Sequence, residues 1–442
     1  MKYAHKNITG IYLIPVLMLV FSSSCKVEPI LDPNNPGIGT ISANPTVGEI
    51  QNLVTAIESG MRDNMNFYFD DAGVIGREFY RFSTSDPRFT SDLLGKGTAV
   101  LDNNTFYITN PFAAAYRVIK NANILLDGLT NTTSSDITAA QRAAGKAYAN
   151  TIKAYELLIV LNLENSNGIR LDVANPAALG PFLSKDESFN AISGLLDNAY
   201  NDLIANAGVD FSFTTTLFSS TSGEFAKFNR ALAARVAVYR QDWNGALDDL
   251  NKSFFDIDGD LTEGVYYIYS SGGGDQLNPM FFPQNSSGET RVVQPSFITD
   301  AAAGDTRLSK APKRTAPTTQ DGLTSDYDFF VYKTNVDPIP IIRNEELLLI
   351  YAEAKAQVGG AANLDGAVTA LNKIRHAANL PNYSGAVTQP AIIDEMLNQR
   401  RYSLFGEGHR WIDMRRYNRL NTLPIDRPGD DVWQEFPRPA TE

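Results

Sequence analysis

An offset of 121 residues, which carries residue 231 onto 352, superposes two stretches of this sequence without a gap. Ala231 falls on Ala352, Ala233 on Ala354, Gly245 on Gly366, Ala246 on Ala367, and Leu250-Asn251-Lys252 on Leu371-Asn372-Lys373. A repeat of this kind reads as a helical hairpin, and the small residues of its first helix let the second pack closely against it. Asp242 and Asn363 stand before the second helix of each copy, where an N-cap is needed. A lone hairpin cannot bury both of its faces, so neighbouring hairpins must stack into a continuous helical body.

The helical period runs well beyond the repeat. Tyr148, Ile152, Tyr155 and Ile159 share one face of a helix, as do Leu347, Ile350, Tyr351, Ala354 and Val358. The spacing predicts helices over 47–65, 111–128, 136–163, 187–207, 223–241 and 243–253. It continues over 344–358, 363–378, 389–404 and 409–418. Residues 254–340 change character: they are rich in Gly, Pro, Ser, Tyr and Phe, with no helical period. That stretch reads as an insertion of loops and a few short strands, such as 264–270 and 329–334, interrupting the stack. The tail 421–442 carries Pro424, Pro428, Pro437 and Pro439 and reads as irregular. The fold class is therefore mainly α, a set of stacked tetratricopeptide-like helix pairs with a loop-rich, short-strand insertion.

Charge and composition exclude several function classes. Lys and Arg total 38 against 50 Asp and Glu, a net charge of −12, which argues against a nucleic-acid partner. One cysteine forbids an intramolecular disulfide. With only His5, His376 and His409 beside it, the chain is a poor zinc or haem protein, and no metal or cofactor is expected.

That cysteine is informative by its place. Lys2 and Lys6 make a basic start, residues 11–21 are apolar apart from Pro15, and Ser22, Ser23 and Ser24 lead to Cys25. The run is too short to span a bilayer and suits the core of a signal peptide. It resembles a bacterial lipoprotein signal, with 1–24 removed and Cys25 lipidated, although Ser22 stands where many such signals have Leu or Val. Residues 25–46, with Pro29, Pro33, Pro36, Gly37, Gly39 and Pro45, would be the tether of a body spanning 47–442. Within that body the expected parts are 47–253, the insertion 254–340, the helices of 341–420 and the tail.

The C-terminal helices carry longer motifs. Arg343-Asn344-Glu345-Glu346-Leu347-Leu348-Leu349-Ile350-Tyr351-Ala352-Glu353-Ala354 resembles the helix that marks the SusD/RagB family. Glu395-Met396-Leu397-Asn398-Gln399-Arg400-Arg401 does likewise, continuing into Leu404-Phe405-Gly406-Glu407-Gly408-His409-Arg410-Trp411-Ile412-Asp413-Met414-Arg415-Arg416. The resemblance implies an outer-membrane lipoprotein displayed at the surface of a Gram-negative bacterium. It implies a non-catalytic protein that binds nutrient polymers, usually oligosaccharides, as the lid of a SusC-like TonB-dependent transporter. A minority of the family resemble peptide binders instead.

Sugar rings bind by stacking their apolar faces on aromatic side chains, while amide, carboxylate and guanidinium groups take the hydroxyls. Two segments mix these ingredients. The first, 67–82, holds Phe67, Tyr68, Phe69, Phe79, Tyr80 and Phe82 among Asp70, Asp71, Arg77 and Arg81. The second holds Tyr266, Tyr267 and Tyr269, then Gly272-Gly273-Gly274, Asp275, Gln276, Asn278, Phe281, Phe282 and Gln284. The resemblance implies ligand contacts in both places, an early loop and the central insertion. From these segments Phe67, Tyr68, Phe79, Tyr80, Arg81, Tyr266, Tyr267, Tyr269, Asp275, Gln276, Asn278 and Phe281 are taken as candidate ligand contacts. Trp243, Trp411 and Trp433 all lie outside both segments.

Other clusters are weaker. Arg400, Arg401, Glu407, His409, Arg410, Asp413 and Arg415 match a motif of binding proteins and read as ion pairs between helices. Asp256, Asp258 and Asp260 hint at calcium, but Leu261 and Tyr267 occupy the places where a calcium loop needs Gly and Glu. The competing functions are an oligopeptide receptor of the same transport type, a glycoside hydrolase on stacked helices and a pure scaffold.

Overall fold

The computed structural model describes residues 42–442. Cys25, the signal segment and most of the tether lie outside the described residues. Among the described residues eleven longer helices follow one another: α1 (Val47–Gly60), α2 (Met65–Ile75), α3 (Phe106–Asn131), α4 (Ala139–Glu164), α5 (Lys185–Ala205) and α6 (Ser222–Tyr239). After them come α7 (Trp243–Asn251), α8 (Asn344–Val358), α9 (Ala361–Ala377), α10 (Gln389–Ser403) and α11 (Arg410–Arg416). Several begin where a side chain satisfies the orphan backbone donors. Thr46 with Glu49, Thr138 with Gln141 and Ser184 with Glu187 each form a reciprocal capping box.

Successive helices pack pairwise from α3 to α10, and α1 lies on α3. The repeated hairpins are α6–α7 and α8–α9, and both α6 and α7 pack directly against α8. The insertion therefore interrupts the stack in sequence but not in space. Asp242 caps α7 through Gly245 N as expected, but Asn363 does not cap α9. That helix starts earlier, at Ala361, so Asn363 sits inside its first turn and donates to Gly359 O at 2.8 Å.

The helix expected over 47–65 ends at Gly60, and after a turn closed by Asn64 in the left-handed region α2 begins. No amphipathic period marks α2, because every residue from Tyr68 to Ile75 is buried.

Six short strands form three antiparallel pairs: β1 (Phe79–Ser83) with β3 (Glu289–Val293), β2 (Gly264–Tyr267) with β6 (Ile339–Arg343), and β4 (Lys313–Gln320) with β5 (Leu323–Tyr327). The first pair stitches the insertion to the N-terminal helices. Residues 329–334, expected as a strand, are irregular chain instead, with Phe329 and Tyr332 plugged into the core. The strands lie just before, in a hairpin turned by Asp321 and Gly322, both at positive φ.

Candidate functional site

The first aromatic segment is mostly core. Tyr68 is buried on α2 and its hydroxyl accepts from Asn162 Nδ2 at 3.1 Å. Phe79 packs against Phe329 with ring centroids 4.8 Å apart, and Tyr80 stacks on Phe82. Both strand residues are at most 2% exposed, because the two faces of β1 are covered. In the second segment Tyr267 is buried with its hydroxyl 2.7 Å from that of Tyr155, and Tyr269 is buried beneath Arg62. Asn278 is a brace: it donates to Asp337 O at 2.7 Å and accepts from Met280 N at 2.8 Å. These six candidates are corrected to structural roles, since a buried ring offers no face to a ligand.

Of the remainder, Phe67 and Arg81 lie along one seam between the two segments, and Phe281 is the chain neighbour of Phe282 in it. Arg81 is the one residue of β1 that is not buried, and its Nη2 donates to Glu289 at 2.6 Å. Its guanidinium sits between the rings of Phe89, 5.1 Å away, and Phe282, 5.0 Å away. Asp70 beneath it is claimed by Arg291 through two bonds of 2.5 and 2.8 Å, and Arg291 also lies over Phe282. The row continues from Phe89 to Phe106 at 5.2 Å and on to Phe67 at 5.4 Å, with Arg88 over Phe106. Phe67, Phe106, Phe281 and Phe282 are all part-exposed.

Separately, Arg62 ties the glycine loop to the end of α1. It donates to Ile268 O at 2.6 Å and to Asp275 at 2.7 Å, while Gln276 Nε2 donates to Ser59 O at 3.0 Å. The Gln276 N–H, and then Arg62, hold the Asp275 carboxyl below the usual range. Burial opposes ionisation of Glu289, but Ser83, Arg81 and Ser85 outweigh it and keep the group an acceptor. Part-exposed aromatic faces alternating with guanidinium and carboxylate groups can stack an apolar ring face and bond its hydroxyls. Arg62, Arg88, Phe89 and Phe106 escaped the sequence reading because they are scattered along the chain; a positively charged or aromatic residue next to a turn was the only local signal. Tyr266 stands apart from the seam and lines a separate cleft.

The C-terminal motif is the molecular counter-example, since its charges are spent on one another. Arg400 donates to Asp413 at 2.6 Å, joining α10 to α11, and Arg416 reaches Glu353 on α8 and Asp413 at 2.7 and 2.8 Å. Arg343 bonds Glu407 and Glu345, and Arg235 on α6 grips Glu346 through bonds of 2.7 and 2.6 Å. Arg410 and Arg415 instead bond backbone carbonyls, of Gly76 and of Asn162 and Gln434. Gly406 and Gly408, both at positive φ, bring the chain against Phe329 and Tyr68 so closely that a Cβ would collide with those rings. Burial pushes His409 down to about 3, so it is neutral at pH 7 and its 3.8 Å approach to Glu346 is no ion pair.

Residues 312–438 match the model of the SusD family, the region that holds these motifs. SusD-like protein P38 of Formosa agariphila is 25% identical over 223 residues, covering 40% of this chain and 42% of that protein. The C-terminal part of the chain is thus similar to the SusD family. The match spans about two fifths of the length of that curated relative. Among solved structures, a SusD superfamily protein from Bacteroides vulgatus has a TM-score of 0.67 at 17% identity, covering 90% of this chain and 96% of its own. Surface glycan-binding protein A from Bacteroides thetaiotaomicron has a TM-score of 0.68 at 14% identity, covering 89% and 96%. At these identities the likeness carries the fold alone: this chain has the helical scaffold of both.

Proposed function

We propose that this chain is a non-catalytic, lipid-anchored protein of the outer membrane that captures oligosaccharide or polysaccharide at the cell surface. It would deliver that cargo to a SusC-like TonB-dependent transporter. The observation that carries the reading is the seam, where part-exposed phenylalanines alternate with Arg81, Arg88 and Glu289 on a SusD-like scaffold. Phenyl faces would take the apolar faces of the sugar and the charged groups its hydroxyls. The similar fold of a surface glycan-binding protein supports the ligand class. The apolar run before Cys25, and the Pro- and Gly-containing stretch after it, support anchoring on a tether.

A mild detergent pull-down of the full chain from its own cells, read by mass spectrometry, tests the reading. A large TonB-dependent barrel in near-equal amount, with glycan cargo, is the expected result. Absence of any barrel under several mild conditions would overturn the transport role, and peptide cargo would overturn the ligand class.

A further inference from the structure

A second concavity shares none of the seam's residues. It is a cleft of about 480 Å³ between the end of α9 and the strands β2 and β6, within the range of about 300–1,000 Å³ in which small molecules are held. One wall is apolar helix, Ile374, Ala377 and Ala378; Pro338 and Pro340 face the cleft from the insertion. Tyr266 supplies an aromatic side chain that is only part-exposed and fixed in place. Its hydroxyl donates to Thr262 O, and a register shift between Val265 and Tyr266 locally breaks the pairing of β2 with β6.

The floor is polar and balanced. Arg307 is spent on Asp305 and on Ser403 Oγ, and Arg343 on Glu345 and Glu407. Lys310 gives two of its three donors to Tyr402 O at 2.9 Å and Ser403 O at 2.6 Å. Three cations thus stand beside three carboxylates. At the rim, Asp337 accepts from Thr334 Oγ1 and from the Lys333 and Thr334 N–H groups. A charged ligand entering here would lose its hydration without meeting an uncommitted counter-charge. Hydroxyl groups face no such penalty. Besides the third proton of Lys310, a second group lacks a partner: Tyr332 is 4% exposed and its hydroxyl bonds nothing among the described residues. That hydroxyl lies in the field of Glu407 and Arg343, the residues of the floor.

We infer that this cleft is a second binding site, taking one or two rings of a neutral, hydroxylated sugar with an apolar face on Tyr266 and hydroxyls toward Lys310. It goes beyond the capture surface proposed at the seam and does not require it.

The test titrates the full chain in detergent with maltose, cellobiose, laminaribiose and lactose, and with glucosamine and galacturonate as charged probes. Each is repeated in Phe282→Ala, Tyr266→Ala and Thr262→Trp; Thr262 is exposed at the rim, so the last variant blocks the cleft without entering the core. At least one neutral disaccharide is expected to bind Phe282→Ala, with its Kd raised tenfold or more when either cleft variant is added. The charged probes are expected to bind at least tenfold more weakly. The inference is overturned if no neutral disaccharide binds, if Phe282→Ala alone removes all binding, if neither cleft variant moves Kd, or if charged probes bind equally. Cleft binding without seam binding would instead overturn the seam as the capture surface and leave this inference standing.

Discussion

The C-terminal motif and the seam are built from the same residue types, arginine, carboxylate and aromatic ring, yet they are opposite in use. Arg400 and Arg416 of the motif, and Arg235 that grips it from α6, are each at most about a tenth exposed, and each bonds a buried carboxylate. At the seam Arg81 pairs with a Glu289 side chain that is 40% exposed, and beside the glycine loop Arg62 pairs with an Asp275 that is 32% exposed. Desolvated partners cannot be exchanged for a ligand without leaving a bare charge, whereas half-solvated ones can. Exposure, more than composition, separates the cement of the motif from the solvated pairs of the proposed capture surface.

Breaking the buried side should have the largest effect. Arg235→Met leaves Glu346 charged, buried and without its bidentate partner, and burial alone would push that carboxyl up where Arg235 and its neighbours now hold it at about 2. Chemical denaturation should show a loss of about 3–5 kcal/mol. A loss no larger than that of a surface pair would break the contrast.

His409 gives an intermediate effect with a sign set by linkage. Unfolded, it takes a proton near 6.5; folded, burial holds it neutral down to about 3. The unfolded state therefore binds more protons in that window, and stability falls as pH drops from 6.5 toward 3, by at most about 1.4 kcal/mol per pH unit. Glu78 and Glu164, pushed up to about 8 by burial, act in the opposite sense between about 4.5 and 8. The readout is thus the difference between His409→Asn and the wild type, which should widen in favour of the variant as pH falls below 6.5. A pH-independent difference would contradict the placement of a neutral histidine among these ion pairs.

The smallest effect belongs to the solvated pair of Arg62 and Asp275. Arg62→Ala removes bonds to Ile268 O and Asp275, both near the surface, and should cost only about 0.2–1 kcal/mol. Hydrogen exchange should instead reveal it, as faster exchange confined to residues 268–277.

The helices were legible because α4, α6 and α8 carry a stripe or a repeat that survives in one dimension. The motif's role as cement was legible too, since charges on helices that must pack have to find one another. Segment α2 was not, because a helix buried all round has no polar face to mark its period. The β4–β5 hairpin escaped for the converse reason: its strands are largely polar and part-exposed, although Asp321-Gly322 was a turn signal that could have been read. Tyr80 and Phe282 look alike in sequence. Only the pairing of β1 with β3 decides that one ring is buried and the other reaches the surface beside Arg81.

The most direct measurement of the central claim is calorimetric titration of a panel of oligosaccharides into the wild-type chain and into Phe282→Ala, with unfolding midpoints measured on both. The account predicts that at least one oligosaccharide binds the wild type and that its Kd rises tenfold or more in the variant, about 1.4 kcal/mol, while the midpoints stay close. Equal affinity in a variant that is fully folded would contradict it.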